Sequence, residues 1–218
     1  MAVSGALLQA GYLGGVFASL HHGMPAGVSA LVTGIQPVLT AILGGWLLRE
    51  RVSPRQWLGL SLGVVAVLLV VGERIRVEGL GAAAVALSVF ALFSITLGTL
   101  WQKRHGAGVD LRTGAAIQFM AATIVLAPFA LAEQGAVRWS GEFIFALGWL
   151  VVVLSIGAIF LLLTLIKRGR ATQVSSLFYL VPPTTALIAW PLFGETYSLT
   201  AAAGMALAML AVWLVMKA

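Results

Sequence analysis

Residues 37–71 read PVLTAILGGWLLRERVSPRQWLGLSLGVVAVLLVV, and residues 182–216 read PPTTALIAWPLFGETYSLTAAAGMALAMLAVWLVM. At a shift of 145 they match at Pro37/Pro182, Thr40/Thr185, Ala41/Ala186, Glu50/Glu195, Ser53/Ser198, Gly59/Gly204, Leu62/Leu207 and Ala66/Ala211. Upstream the shift becomes 146, with Gly23/Gly169, Val28/Val174, Ser29/Ser175 and Leu31/Leu177. One residue is therefore inserted between Leu31 and Pro37. Coincident Ala and Leu are easy to find in an apolar chain. Pro, Glu and Gly in one register are not, so the chain repeats itself.

Each copy is a pair of apolar runs about a short polar gap, and the rest of the chain has the same texture. Runs free of Asp, Glu, Lys and Arg cover 1–48, 56–72, 79–102, 113–132, 143–166, 171–194 and 196–216. About 20 apolar residues cross the ~30 Å hydrocarbon core as a helix. The first run is too long for one span and is interrupted by His21, His22, Gly23, Met24 and Pro25. Eight transmembrane helices follow, near 3–20, 26–48, 56–72, 79–101, 113–131, 143–166, 171–193 and 199–216: an all-α, polytopic integral membrane protein. With 61% hydrophobic and 9% charged residues, against about 25% charged in a soluble domain, no polar shell could cover a soluble fold. The net charge of +6 does not mark a nucleic-acid binder, because the basic residues sit singly or in threes at helix ends. The chain has no Cys, which excludes disulfides and thiolate chemistry.

Eight spans put both termini on one side. If that side is the cytoplasm, ten basic residues lie inside: Arg49, Arg51, Arg55, Lys103, Arg104, Arg112, Lys167, Arg168, Arg170 and Lys217. Three lie outside: Arg74, Arg76 and Arg138. The positive-inside bias selects this orientation. Trp46, Trp57, Trp101 and Trp190 fall near helix ends, as an interfacial belt requires. The repeated helix pairs are an odd number of spans apart, so the two copies are inverted in the membrane. Inverted repeats are a transporter architecture, with the substrate site near the midplane where they meet.

The segments GMPAGVSALVTGIQPVLTAILGGWLLRERVSPRQWLGLSLG and GRATQVSSLFYLVPPTTALIAWPLFGETYSLTAAAG carry Pro, Glu thirteen residues on, and Gly nine further. With EGLGAAAVALSVFALFSITLGTLWQKR, which looks like the first helix of a repeat, they make the chain resemble the EamA-type members of the drug/metabolite transporter superfamily. That resemblance implies ten helices in two inverted five-helix repeats. Residues 1–72 then look like the last three helices of the first repeat and 79–218 like the whole second repeat. Two helices would be missing at the start, through an upstream start codon or a truncated copy. The resemblance also implies a bacterial inner-membrane secondary transporter, exporting a small polar metabolite such as an amino acid by alternating access. The alternative is a truncated, non-transporting subunit or fragment.

Candidate substrate-facing residues follow from helical spacing. Thr33, Gln36, Pro37 and Thr40 make one stripe. Thr172, Ser176, Tyr179 and Pro183 make another, and Gln9 with Tyr12 can join them. Pro37, Pro182 and Pro183 are expected mid-helix, where they kink the chain and free the carbonyls of Thr33, Phe178 and Tyr179. Small polar residues at such kinks also serve as interhelical hydrogen-bond glue, a reading that fits Thr40, Ser176 and Gln118 equally well. Glu50 and Glu195 read as helix-start carboxylates or partners of Arg49 and Arg51. No ionisable Asp, Glu, Lys or Arg lies between helix ends, which argues against a buried carboxylate proton relay. Gly59 with Gly63, and Gly204 with Ala208, form small-residue faces for close packing and a possible homodimer seam. There is no catalytic constellation or metal-ligand cluster, so neither an enzyme nor a cofactor is expected. The partners are the lipid bilayer and a small-molecule substrate.

Overall fold

The computed structural model describes residues 1–71, 81–133, 138–181, 184 and 198–217. Pro182, Pro183 and Glu195 lie outside the described residues. Among the described residues every regular element is helical. Helix α1 is Ala2–His21, α2 is Ala26–Gly34, α3 is Gln36–Leu47, α4 is Pro54–Val71, α5 is Ala82–His105 and α6 is Leu111–Ala132. They are followed by α7, Gly141–Arg168, by α8, Ala171–Ser176, which tightens to a 3₁₀ turn at Leu177–Leu180, and by α9, Leu199–Met216. Among the described residues six helices are long and apolar enough to cross a membrane: α1, Val28–Leu47, α5, α6, α7 and α9. Helix α4 contains a slightly shorter apolar stretch, Pro54–Val70. The remaining expected span, 171–193, is described only to Val181 and at Thr184.

Pro37 sits near the middle of the Val28–Leu47 span, as the sequence suggested, and the span is interrupted just before it. The expected single helix breaks at Ile35, whose N–H turns to the Val32 carbonyl at 3.2 Å, and Pro37 occupies the first turn of α3. A missing N–H costs nothing there, because first-turn N–H groups have no intrahelical partner. Helix α3 ends in a left-handed residue that is not glycine: Arg49 has φ 56°. That conformation costs an L-residue about 1–2 kcal/mol. It swings Glu50 back so that its N–H reaches the Gly44 carbonyl at 3.3 Å.

Helices α4 and α9 pack antiparallel along a glycine seam. A Cβ on Gly59 would lie 2.8 Å from the Ala211 carbonyl oxygen, 2.8 Å from Val215 Cγ2 and 3.0 Å from Leu214 Cβ. A Cβ on Gly204 would lie 3.0 Å from the Ala66 carbonyl oxygen, 2.8 Å from Val70 Cγ2 and 2.8 Å from Leu69 Cβ. Ala66/Ala211, Leu69/Leu214 and Val70/Val215 are pairs at the shift of 145. Each contact therefore has a counterpart made by equivalent residues, as a two-fold axis requires. The starts match too: Ser53 Oγ accepts from the Gln56 N–H at 3.2 Å and Ser198 Oγ from the Ala201 N–H at 3.1 Å. Both are N-cap bonds to the third helical residue. Hydrogen bonding widens to i→i+5 over Ala6–Leu13 in α1 and over Leu150–Ala158 in α7, again at corresponding places.

The loops expected on the cytoplasmic side come together on one face. The Lys103 ammonium donates to the Gly169 carbonyl, Lys167 Nζ to the Val109 carbonyl at 3.2 Å, and the Arg170 guanidinium to the Arg51 carbonyl. Asp110 caps α6 here, accepting from the N–H groups of Thr113 and Arg112. Those bonds hold its exposed carboxyl below the usual range. Its contribution is present above the unfolded carboxylate pKa and lost as pH falls through the lowered one.

Overpacking the seam tests it. Gly59→Ala and Gly204→Ala should each destabilise the protein in detergent by about 1–3 kcal/mol. Gly148→Ala, where a Cβ meets nothing within 4 Å, should be neutral or stabilising. Thermal unfolding of the three variants measures the contrast.

Candidate functional site

The break at Ile35 turns the first residues of α3 toward α8. Gln36 is 1% exposed, and Thr40 and Ser175 are fully buried. Gln36 Nε2 donates to Ser175 Oγ at 3.0 Å and to Thr40 Oγ1 at 3.3 Å, and Ser175 Oγ donates to Thr40 Oγ1 at 3.3 Å. This closed triangle joins the two elements that carry the sequence candidates. Among the described residues Gln36 Oε1 has no partner, and neither does the buried Ser29 Oγ. A buried acceptor left unpaired costs about 1–3 kcal/mol. The triangle thus holds an amide oxygen able to accept from an N–H or O–H donor that enters between α3 and α8.

The other candidates are not gathered there. The Thr33 hydroxyl bonds its own helix, at the Ser29 carbonyl (2.9 Å) and the Ala30 carbonyl (3.3 Å). Ser176 Oγ donates to the Gln173 carbonyl at 2.7 Å. Tyr179 is fully buried, its hydroxyl donates to the Leu60 carbonyl at 3.0 Å, and its ring fills the notch at Gly63. A Cβ on Gly63 would fall 2.1 Å from that ring, so the second glycine of α4 serves Tyr179 rather than α9. Tyr179 lies in the apolar cluster with Ala41, Leu60, Val67, Val212 and Val215. Gln9 and Tyr12 stand on α1, which packs chiefly on α5 and α6. Gln118 links two helices, donating to Gln102 Oε1 at 3.1 Å.

Ser175 is the residue that spacing alone passed over. It lies one position off the stripe of Thr172, Ser176 and Tyr179, yet its match with Ser29 in the repeat was a signal. Two other polar residues are tied to the basic face. Glu50 accepts from the Ala171 N–H at 3.0 Å and from the Thr172 hydroxyl at 3.5 Å, so its partner is the start of α8 rather than Arg49 or Arg51. The fully buried Gln56 takes the Arg170 guanidinium on Oε1 at 3.4 Å and reaches the Val215 carbonyl with Nε2 at 3.5 Å. Among the described residues no group of three His, Cys, Asp or Glu could hold a metal.

Substitutions separate the two kinds of residue. Tyr179→Phe should lower thermal stability by about 0.5–1.5 kcal/mol, through loss of its bond to Leu60, and leave ligand affinity within about twofold of the parent. Gln36→Ala should retain the folded protein and weaken ligand-induced thermal stabilisation. If both variants change stability alone, the triangle is structural glue.

Known proteins give this arrangement a context. The EamA-like transporter family profile matches residues 2–72 and 82–217. The chain is 28% identical over 197 residues to the "Uncharacterized transporter YvbV" of Bacillus subtilis, covering 88% of this chain and 63% of that protein. It is 25% identical over 215 residues to the "Probable amino-acid metabolite efflux pump" of Salmonella typhimurium, covering 94% of this chain and 72% of that protein. The chain thus spans less than two thirds of the length of the Bacillus relative. One crystal structure superposes with a TM-score of 0.82 at 19% identity, over 99% of this chain and 75% of that one, a likeness of fold. The enclosed polar triangle, the apolar helices and the family match agree, and this chain belongs to the EamA-like transporter family.

Proposed function

We propose that the protein is a secondary transporter that exports a small polar metabolite, an amino acid or related compound, from the cytoplasm across the inner membrane by alternating access. The observation that carries this reading is the two-fold relation of the α4–α9 contacts. Repeats related in that way, and inverted in the membrane, have two equivalent ways to pack, and rocking between them moves a midplane site from one face to the other. In this reading residues 1–72 and 79–218 are the partial and complete repeats, and the face bearing Glu50, Lys103 and Arg170 is cytoplasmic. The triangle of Gln36, Thr40 and Ser175 is the substrate contact, with Thr33, Ser176, Gln9 and Tyr12 around it and the proline-bearing segments at Pro37, Pro182 and Pro183 as hinges. The free oxygen of Gln36 accepts from the substrate's amino group. The spans carry no fixed charge, which suits a neutral or zwitterionic substrate. The name of the Salmonella relative points to the same class.

One observation favours a second reading, in which the chain works only when completed by another pair of helices. Helix α1 packs on α5 and α6, and 39% of its most apolar stretch is buried. Its counterpart α7 is 11% buried, and among the described residues its contacts with other helices gather in its last turns, at Ile159–Arg168. Gly11 of α1 sits where a Cβ would lie 2.8 Å from Ser94 Oγ. Among the described residues Gly157, its equivalent at the shift of 146, meets only the Val152 carbonyl of its own helix. Two helices standing to α7 as α5 and α6 stand to α1 would cover that face.

Thermal-shift screening of purified protein with amino acids and their derivatives, followed by counterflow in liposomes, tests both. A ligand that raises the melting temperature of the parent but not of Gln36→Ala, and that exchanges across the bilayer, is the expected result. Binding without exchange favours the incomplete unit. Neither binding nor exchange for any small polar metabolite overturns the proposal.

A further inference from the structure

Glu50 joins two elements at the basic face, and the repeat replaces the residues that meet it there. Its carboxylate bridges α3 to α8, accepting the Ala171 N–H at 3.0 Å and the Thr172 hydroxyl at 3.5 Å. The left-handed Arg49 (φ 56°) aims it there. Beside it the Arg170 guanidinium ties the same end of α8 to the Arg51 carbonyl and to Gln56 Oε1. These bonds stand between the basic loops and the buried residues Ser175 and Ser176 that follow them in α8. Carried across the repeat, Glu50 becomes Glu195, but the acceptor would find different partners. Ala171 becomes Pro25, which has no N–H; Thr172 becomes Ala26, which has no hydroxyl; Arg170 becomes Met24; Gln56 becomes Ala201. Both donors to Glu50 and both side chains of the neighbouring tie are therefore lost on the other face.

We propose that Glu50, with Ala171 and Thr172, is a one-sided clasp that holds the transporter at rest with its basic face shut, because the residues equivalent to Ala171 and Thr172, Pro25 and Ala26, offer Glu195 neither donor. This rests on the alternating-access reading. Hydrogen bonds to a carboxylate are roughly twice as strong as neutral ones, so one clasp lacking a counterpart biases an otherwise symmetric pair of states. The apparent affinity for substrate arriving from the basic face is then lowered by the fraction of time the clasp is open.

The test uses Ser176→Cys as a reporter in a chain that otherwise has no cysteine. Ser176 is fully buried one turn beyond Thr172. An impermeant maleimide is applied to sealed proteoliposomes of each sidedness, and no substrate is needed, so a failure of transport leaves the result readable. Adding Glu50→Ala should raise labelling from the basic face by about tenfold, the loss expected for charged hydrogen bonds, and leave the other face unchanged. Glu50→Gln, which keeps an acceptor oxygen, should raise it by about twofold. Glu195→Ala should alter neither face. If Glu50→Ala does not fold, Thr172→Val removes one leg of the clasp and should raise basic-face labelling by about threefold. Unchanged labelling in a folded Glu50→Ala or Thr172→Val protein overturns the clasp. So does a Glu195→Ala variant that opens the opposite face to the same degree.

Discussion

The close approach of α4 and α9 is the constraint on which the rest of the structure depends. In lipid no hydrophobic driving force holds two apolar helices together, so van der Waals contact must do it, and that contact needs small residues. Gly59 and Gly204 supply it at opposite ends of an antiparallel pair, each against the backbone and side chains of the other helix. With that pair fixed, Gly63 presents a notch that receives the Tyr179 ring and so seats α8 on α4. Helix α8 then lies against α3, and Ser175 meets Gln36 and Thr40. The polar triangle is thus a consequence of glycine placement two helices away.

Much of this was legible in the sequence, and the reason is the solvent. A bilayer forces each span to be long, apolar and helical, so charge-free runs locate the helices to within a few residues. Ser53 and Ser198 mark two helix starts because an N-cap is a local matter. The register of Pro, Glu and Gly predicted Gly59 and Gly204 as a contact surface, and they meet one another's helices. What the sequence did not disclose depends on three-dimensional neighbours. The break at Ile35 rather than Pro37 reflects where the chain can shed an N–H without loss. Tyr179 looked like a long polar reach into a cavity, but its hydroxyl is spent on the Leu60 carbonyl of a helix remote in sequence. Glu50 looked like a helix-start carboxylate or a partner for adjacent arginines; the left-handed turn at Arg49 sends it to the start of α8. No local pattern announces such a turn when the residue is not glycine.

The chemistry of the interior is polar without being charged. Buried serine, threonine and glutamine side chains are mostly paired, but among the described residues Ser4 Oγ, Ser29 Oγ, Gln36 Oε1, Ser88 Oγ and Gln118 Oε1 are not. Two of them, Ser29 Oγ and Gln36 Oε1, lie one on each side of the break at Ile35, where leaving polar groups unpaired is costly. They become useful if a ligand completes them. Fixed charges stay near helix ends, and those of the basic face join loops rather than contact the triangle. An arrangement of this kind has neutral hydrogen bonding at the centre and charge-assisted hydrogen bonding at the edge.

The central claim is that the two halves are inverted across the membrane. Arg55 and Thr200 occupy equivalent places in the repeat, in the first turns of α4 and α9, and both are exposed. Single cysteines at these two positions, probed with an impermeant thiol reagent on intact cells, test the claim most directly. The account predicts that Thr200→Cys reacts at once and that Arg55→Cys reacts only after the membrane is permeabilised. Labelling of both from the same side would contradict it.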